Sequence, residues 1–403
     1  MPPPSITPVA SEGSAVQTLD RLLQQALELT ASDMHVESGE DFFRVRFRLD
    51  GQLHIAATPA LGLRDPIVSR LKVLARMDIA EKRLPQDGRI QYPYKDQTVD
   101  LRVSSLPTVH GEKIVVRFLN FSRERPSLSA LGYEPNDCTQ VLQALHRPHG
   151  LILMTGPTGA GKTSSLYSCL ELLNRTEVNI STVEDPSEIH LPGINQVNIN
   201  ERAGLTFATT LRALLRQDPD VIMVGEVRDL ETAEIAIQAA QTGHLVLSTL
   251  HTNDAPGTLA RLRHMGIPAF NVAASVSLIT AQRLIRRLCD HCKSPVSEAQ
   301  TEYFFNTLCP QDQFTSPSPS DATLFNAVGC PLCDKGYKGR VGIYQVMPIS
   351  HTMQGLILRD SDSQALATQA AAEGIRTLRQ AGWLKVLQGI SSIDEVMALT
   401  THG

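Results

Sequence analysis

The chain has 403 residues, a formal net charge of −5, and 42% hydrophobic but only 5% aromatic residues. That length carries two or three domains with their own cores, while the acidic balance and scarce aromatics give little to attract nucleic acid or anionic lipid. No apolar run approaches a membrane span, the N-terminus lacks signal-peptide form, and seven cysteines, including two C-x-x-C pairs, favour a reducing compartment and metal over disulfides. The expectation is a soluble, cytoplasmic protein.

Residues 1–15, rich in Pro, Ser and Gly, read as disordered. From Val16 to Leu29 apolar residues recur at helical spacing, and the weak positive charge on the polar face favours a core-facing helix over a membrane-surface one. Phe43-Arg44-Val45-Arg46-Phe47-Arg48-Leu49 alternates apolar and basic residues and ends at Asp50-Gly51, a half-buried strand entering a hairpin. A helix at about Leu63–Met77 and strands at Gly88–Tyr92, Thr98–Val103 and Glu112–Leu119 complete a small α+β domain over 16–120. The polar stretch 120–127, with Pro126, marks a linker, set at 121–135, and a second domain over 136–403 follows.

In that second domain strands and helices alternate as in a parallel α/β sheet. The apolar run Gly150–Thr155 leads into Gly156-Pro157-Thr158-Gly159-Ala160-Gly161-Lys162-Thr163, and the segment from Ser164 to Leu173 reads as a helix. Glycines let backbone N–H groups wrap a phosphate, and the following helix N-terminus favours negative charge. Lys162 would reach the β- and γ-phosphates and the Thr163 hydroxyl would ligate Mg²⁺, so the chain binds a nucleoside triphosphate. Further strands end in Glu184-Asp185, in Gly225-Glu226 and, bracketed by His244, in His251. Singly, each is an ordinary strand end. In order behind a phosphate loop, they place Glu184, Glu226 and His251 in one crevice at the strand C-termini.

Cys289-Asp290-His291-Cys292 and Cys330-Pro331-Leu332-Cys333 form two knuckles whose four thiolates suit a closed, structural Zn²⁺ site. The separation is longer than in a zinc ribbon, with a loop around Ser316–Ser320. A redox role would need one reactive pair rather than two. His291 reads as a bystander, and Cys138, Cys169 and Cys309 as packing or exposed residues. This element is set at 285–345, with C-terminal helices over 346–403.

The ordered segments GPTGAGKT, TVEDPSE, LRQDPDVIMVGEVRD and TGHLVLSTLHTNDA resemble the secretion ATPases of type II secretion and type IV pilus assembly, as do Ala31–Glu37, Arg83–Arg89 and Leu101–Thr108. The similarity runs from about residue 16 to 400. The resemblance implies a RecA-like ATPase domain behind a small α+β domain, with an inserted tetracysteine subdomain and ATP, Mg²⁺ and Zn²⁺ as cofactors. Glu226 would hold the metal or its water and Glu184 would polarise the attacking water, with the division between the two open. Such enzymes look like homo-hexamers in which the N-terminal domain presents arginines in trans, here Arg102 and Arg117, with Arg89 weaker. The tetracysteine element implies an extension motor rather than a retraction motor, powering pilus or pseudopilus assembly through platform proteins of the inner membrane. Gln345 stands where the family usually has Glu, which puts an expected salt bridge in doubt. Family members commonly carry a further N-terminal domain that docks onto an inner-membrane partner, so the expectation is either a short member that docks otherwise or a truncated chain. A RecA-like nucleic-acid motor (a helicase or DNA-uptake ATPase) and a nucleotide-gated scaffold with little turnover are the alternatives; charge and composition speak against the first, and the two acids against the second.

Overall fold

The computed structural model describes residues 14–95, 97–119, 127–309 and 323–400. The disorder expected at 1–15 lies outside them apart from Ser14 and Ala15, as do the Ser316–Ser320 loop and most of the stretch 120–127. The chain divides into two compact units, Met1–Arg123 with Gly329–Lys338, and Glu124–Val328 with Gly339–Gly403.

The first unit runs α1 (Ala15–Glu28), β1 (Asp33–Ser38), β2 (Phe43–Leu49), β3 (Gln52–Ala57), α2 (Arg64–Leu74), β4 (Gln86–Tyr94), β5 (Gln97–Thr108) and β6 (Gly111–Phe118). Ser14 and Gln17 close a capping box at the start of α1, and Leu19, Leu22, Leu23, Ala26 and Leu27 bury its inner face. The six strands pair antiparallel in the order β3-β2-β1-β6-β5-β4. Alternation in β2 buries Phe43, Val45 and Phe47 and leaves the arginines between them on the other face. Asp50 and Gly51, at φ 45° and 88°, supply the left-handed pair that a two-residue hairpin turn requires.

β1 escaped the sequence reading as a strand, because its alternation places Asp33, His35 and Glu37 on that same arginine face. Register then assembles one cross-strand row, Arg89, Arg102, Arg117, Asp33 and Arg48, over five strands. Asp33 sits 3.0 Å from Arg117 and 3.5 Å from Arg48. Beneath the opposite face, Lys72 and Glu112 form a fully buried ion pair at 2.9 Å, and Lys72 Nζ also donates to the Glu81 carbonyl at 2.6 Å.

The second unit opens with α3 (Leu128–Leu131) and α4 (Pro135–Leu145), so the stretch taken as linker becomes helical from Leu128. It continues with β7 (Gly150–Thr155), α5 (Lys162–Leu173), β8 (Ile180–Glu184), β9 (Asn195–Asn198), α6 (Phe207–Leu214), β10 (Val221–Val224), α7 (Leu230–Gln241), β11 (Leu245–Leu250), α8 (Ala255–His264) and α9 (Ala269–Ser275). β12 (Val276–Leu288), β13 (Ser294–Pro295), α10 (Glu298–Tyr303), β14 (Phe325–Asn326) and β15 (Tyr337–Pro348) follow, then α11 (His351–Leu358), α12 (Ser363–Ala372), α13 (Leu378–Leu387) and α14 (Ile393–Leu399).

Seven strands form the central sheet in the order β15-β12-β7-β11-β10-β8-β9, and β12 through β9 run parallel. β7, β8, β10 and β11 are buried along their whole length, as strands covered by helices on both faces must be. The fold is therefore α/β, with a small α+β unit before a RecA-like sheet, as the sequence leads one to expect. The edges of the stretch 285–345 belong to this sheet, since β12 extends to Leu288 and β15 begins at Tyr337.

Candidate active site

The phosphate loop joins β7 to α5, and its glycines are there for steric reasons. Gly156, Gly159 and Gly161 have φ of 146°, 80° and 88°. A Cβ on Gly156 would lie 2.5 Å from the Gln282 backbone oxygen of neighbouring β12, so no other residue fits. Gln282 reinforces the loop from behind: its Nε2 donates to the Ala160 carbonyl at 2.8 Å. Pro157, Thr158 and Gly159 are exposed, Ala160 is buried, and Lys162 and Thr163 are half-buried at the start of α5. Lys162 Nζ donates to the carbonyls of Gly156 and Pro157 at 2.8 and 3.1 Å.

Parallel register brings the next three groups to the same edge. Val224 pairs with Val183 on one side and Ser248 on the other, while Leu250 lies beside Thr155. Glu184, Glu226 and His251 therefore end their strands at the level of the phosphate loop. His244 lies at the opposite end of β11 with Nδ1 3.1 Å from the Ala239 carbonyl, a structural position. Gly225 lets the β10 and β8 ends pass closely, its N–H donating to the Val183 carbonyl at 2.8 Å.

The two acids differ in surroundings. The Glu226 side chain is 22% exposed and accepts from Arg228, which also lies 3.7 Å from Asp185. His251 Nε2 is 3.6 Å from Glu226 Oε2, beyond hydrogen-bond length. Burial, together with the Lys162 charge, lowers the His251 pKa against the opposing pull of Glu226, so the imidazole is neutral at neutral pH and the contact is no ion pair. Glu184, by contrast, is buried and accepts from Tyr167, Thr182 and Gln196.

Lys162 feels this cluster directly. Burial lowers its pKa, Glu226 opposes the shift and the charge of Arg283 adds to it. Arg283, next to Gln282 on β12, donates to Asn253 Oδ1 at 3.0 Å. The site is a cationic cluster of Lys162, Arg228 and Arg283 with the half-buried Glu226 carboxylate among them, an arrangement suited to a polyphosphate carrying a divalent metal. Sequence reasoning missed Tyr167, Gln196, Arg228, Gln282 and Arg283. Of these, only Arg228 lies within a segment singled out for its chemistry.

The arginines Arg102 and Arg117 belong to the first unit. Arg117 is 61% exposed and paired with Asp33, Arg102 is half-buried between it and Arg89, and Arg89 is exposed. The four knuckle cysteines come together with their sulfurs all within 4.8 Å of one another. Cys330 and Cys333 place theirs 3.7 Å apart, close to the roughly 3.8 Å edge of a tetrahedron with 2.3 Å zinc–sulfur bonds. The N–H groups of Cys292 and Lys293 turn back onto the Cys289 carbonyl, and the Cys330 N–H donates to the Cys333 sulfur. His291 is exposed and outside the cluster. Burial pushes the Cys169 and Cys309 thiols up to about 12 and 11, which keeps both protonated. Gln345 is buried and accepts the Ala255 N–H at 2.8 Å, so where an ion pair was in doubt a neutral amide satisfies the first N–H of α8, whose N-cap is Asp254.

No helix among the described residues is long and apolar enough to cross a membrane. The family model described as "Type II/IV secretion system protein" matches residues 9–398. The type IV pilus assembly ATPase PilB of Acinetobacter baylyi is 51% identical over 392 residues, spanning 97% of this chain and 67% of that protein. The type II secretion system ATPase E of Vibrio cholerae is 46% identical over 96% of this chain and 75% of its own length. Among solved structures, the pilus retraction motor PilT with bound ADP matches at a TM-score of 0.65 and 26% identity, covering 94% of this chain and 96% of PilT. The nucleic-acid-motor alternative finds no support in these comparisons. With its phosphate loop, its strand-end acids and this similarity along nearly its whole length, the chain belongs to the type II/IV secretion system protein family and is an ATP hydrolase.

Proposed function

We propose that the chain is the motor of a type IV pilus or type II secretion pseudopilus, hydrolysing ATP at the cytoplasmic face of the inner membrane to drive filament assembly through platform proteins. The observation that carries this reading is the meeting of Lys162, Glu226 and His251 at one sheet edge, with Glu184 ending the adjacent strand. In that reading the backbone of Gly156, Pro157, Thr158, Gly159, Ala160 and Gly161 cradles the phosphates, Lys162 neutralises them and Thr163 ligates Mg²⁺. Glu226, half-buried and flanked by cations, would hold the metal or its water, while Glu184 would orient the attacking water. His251 stands beside Glu226 as a neutral donor to the phosphoryl oxygens.

Hexamerisation would complete the site in trans with Arg102 and Arg117, whose row also contains Arg89. Arginines so placed are worth roughly 10³–10⁵ in rate in other nucleotide hydrolases. Zn²⁺ at Cys289, Cys292, Cys330 and Cys333 fits the spacing of the four thiols and would fasten the element without entering the chemistry.

The test is phosphate release per subunit as protein concentration rises, for the natural chain and for Glu184→Gln and Glu226→Gln. The expected result is a rate climbing cooperatively with concentration and abolished in both variants, while MgATP binding survives. A rate unchanged by either substitution would overturn the assigned roles. Restoration of pili in an assembly-deficient strain, set against secretion in a type II-deficient one, distinguishes the two cargo filaments.

A further inference from the structure

Tyr167 lies in the second turn of α5, the helix that Lys162 opens, and is only 3% exposed. Its hydroxyl donates to Glu184 Oε2 at 2.5 Å and accepts the Glu188 N–H at 3.1 Å. The other carboxylate oxygen, Oε1, accepts from Thr182 Oγ1 at 2.6 Å and Gln196 Nε2 at 3.1 Å. Glu184 itself is 4% exposed.

A carboxylate offers about four acceptor sites; among the described residues these three donors fill three of them and fix the plane of the group, leaving one for a water. Burial, and then the charge of Glu184, raise the Tyr167 phenol well above its ordinary range, so the shared proton stays on tyrosine.

We propose that Tyr167 is a positioning residue for ATP hydrolysis: it holds Glu184 in one orientation and ties that orientation to the helix carrying Lys162. The inference rests on the water-orienting role proposed for Glu184. Packing alone does not account for the hydroxyl, since a phenylalanine would fill the same space between α5 and β8. Both bonds of the hydroxyl reach the segment from β8 onward, one to the acid and one to the backbone of Glu188. The phosphate loop and the acid are thereby held as one body, which is what in-line attack on a loop-bound phosphate demands.

Tyr167→Phe in the full chain tests this by steady-state kinetics. The expected result is a kcat lowered about 10- to 100-fold, with KM and MgATP affinity within about twofold of the natural chain, from the loss of one hydrogen bond to a charged group. A positioning role lowers kcat and leaves affinity in place, which a packing role does not. Replacing Tyr167 by 3-fluorotyrosine keeps every contact while strengthening the donor, and should change kcat without moving KM; this variant decides the matter if the phenylalanine chain does not fold.

Glu184→Gln is measured alongside. If it abolishes hydrolysis while Tyr167→Phe keeps the natural rate, the inference on Tyr167 is wrong and the role of Glu184 stands. If kcat and affinity fall together, Tyr167 is only a packing residue. If Glu184→Gln hydrolyses ATP normally, the role of Glu184 fails and this inference falls with it.

Discussion

Gln282 offers a way to separate the stability of the second unit from its hold on nucleotide. Its side chain is buried, Nε2 donates to the Ala160 carbonyl at 2.8 Å, and Oε1 has no partner among the described residues. In a trans peptide the C=O and the following N–H point in opposite directions. Drawing the Ala160 oxygen back towards β12 therefore aims the Gly161 N–H into the loop, where a phosphate would sit. Gln282→Leu orphans the Ala160 carbonyl, costing about 1–3 kcal/mol, but also removes an unpartnered buried oxygen worth a similar amount. The net change in unfolding free energy should stay within about 1 kcal/mol. MgATP affinity, in contrast, loses an aimed N–H to a charged phosphate, about 1.5–3 kcal/mol or 10- to 100-fold. Urea unfolding and a fluorescent-nucleotide titration on the same preparation measure the two quantities. Unchanged affinity would refute the argument about the peptide plane, and a stability loss above about 3 kcal/mol would show that Oε1 is not an orphan.

Glu37 makes stability sensitive to acid. Burial raises its pKa, but hydrogen bonds from Arg46 and Arg44 more than offset this and hold it at about 2, against 4.5 for an ordinary glutamate. The resulting stabilisation is complete above about pH 5 and is lost as pH falls towards 2, amounting to at most about 3 kcal/mol and less where salt screens the half-buried arginines. Acid unfolding followed by circular dichroism should show that loss, and Glu37→Gln should flatten it. Lys72→Met leaves Glu112 buried without its cation and should cost about 3–5 kcal/mol in denaturant unfolding; adding Glu112→Leu should recover most of it. Cys330→Ser should abolish stoichiometric zinc measured by elemental analysis and lower the melting temperature, whereas unchanged metal content would remove these thiols from the ligand set.

The parts of this site that were legible from sequence are those encoded locally. The phosphate loop, Glu184 and Glu226 each sit within a few residues of the strand that presents them, so strand-then-motif suffices to find them. Tyr167 and Gln282 act on partners 17 and 122 residues away, and only the folded sheet brings each pair together. β12 was illegible for a different reason. Val276–Ala281 reads as a buried run, but Arg283, Arg286 and Arg287 then break the apolar pattern, although Arg286 is neutralised by Glu395 of α14. The arginine row of the first unit shows the same limit. Alternation reveals that β2 has a basic face, but only register places Arg89, Arg102 and Arg117 side by side.

β12 also has a mechanical meaning. A single extended strand, with no turn or glycine along it, passes from Gln282 behind the phosphate loop to Leu288, and the next residue is Cys289. At the rise of a strand that is a rod of roughly 23 Å. It is clamped midway where Arg286 meets Glu395. A rod bends less than a loop, so tension at one end is delivered to the other instead of being absorbed. Strain at the knuckle would be felt as a changed grip on phosphate, and nucleotide turnover as a tug on the knuckle.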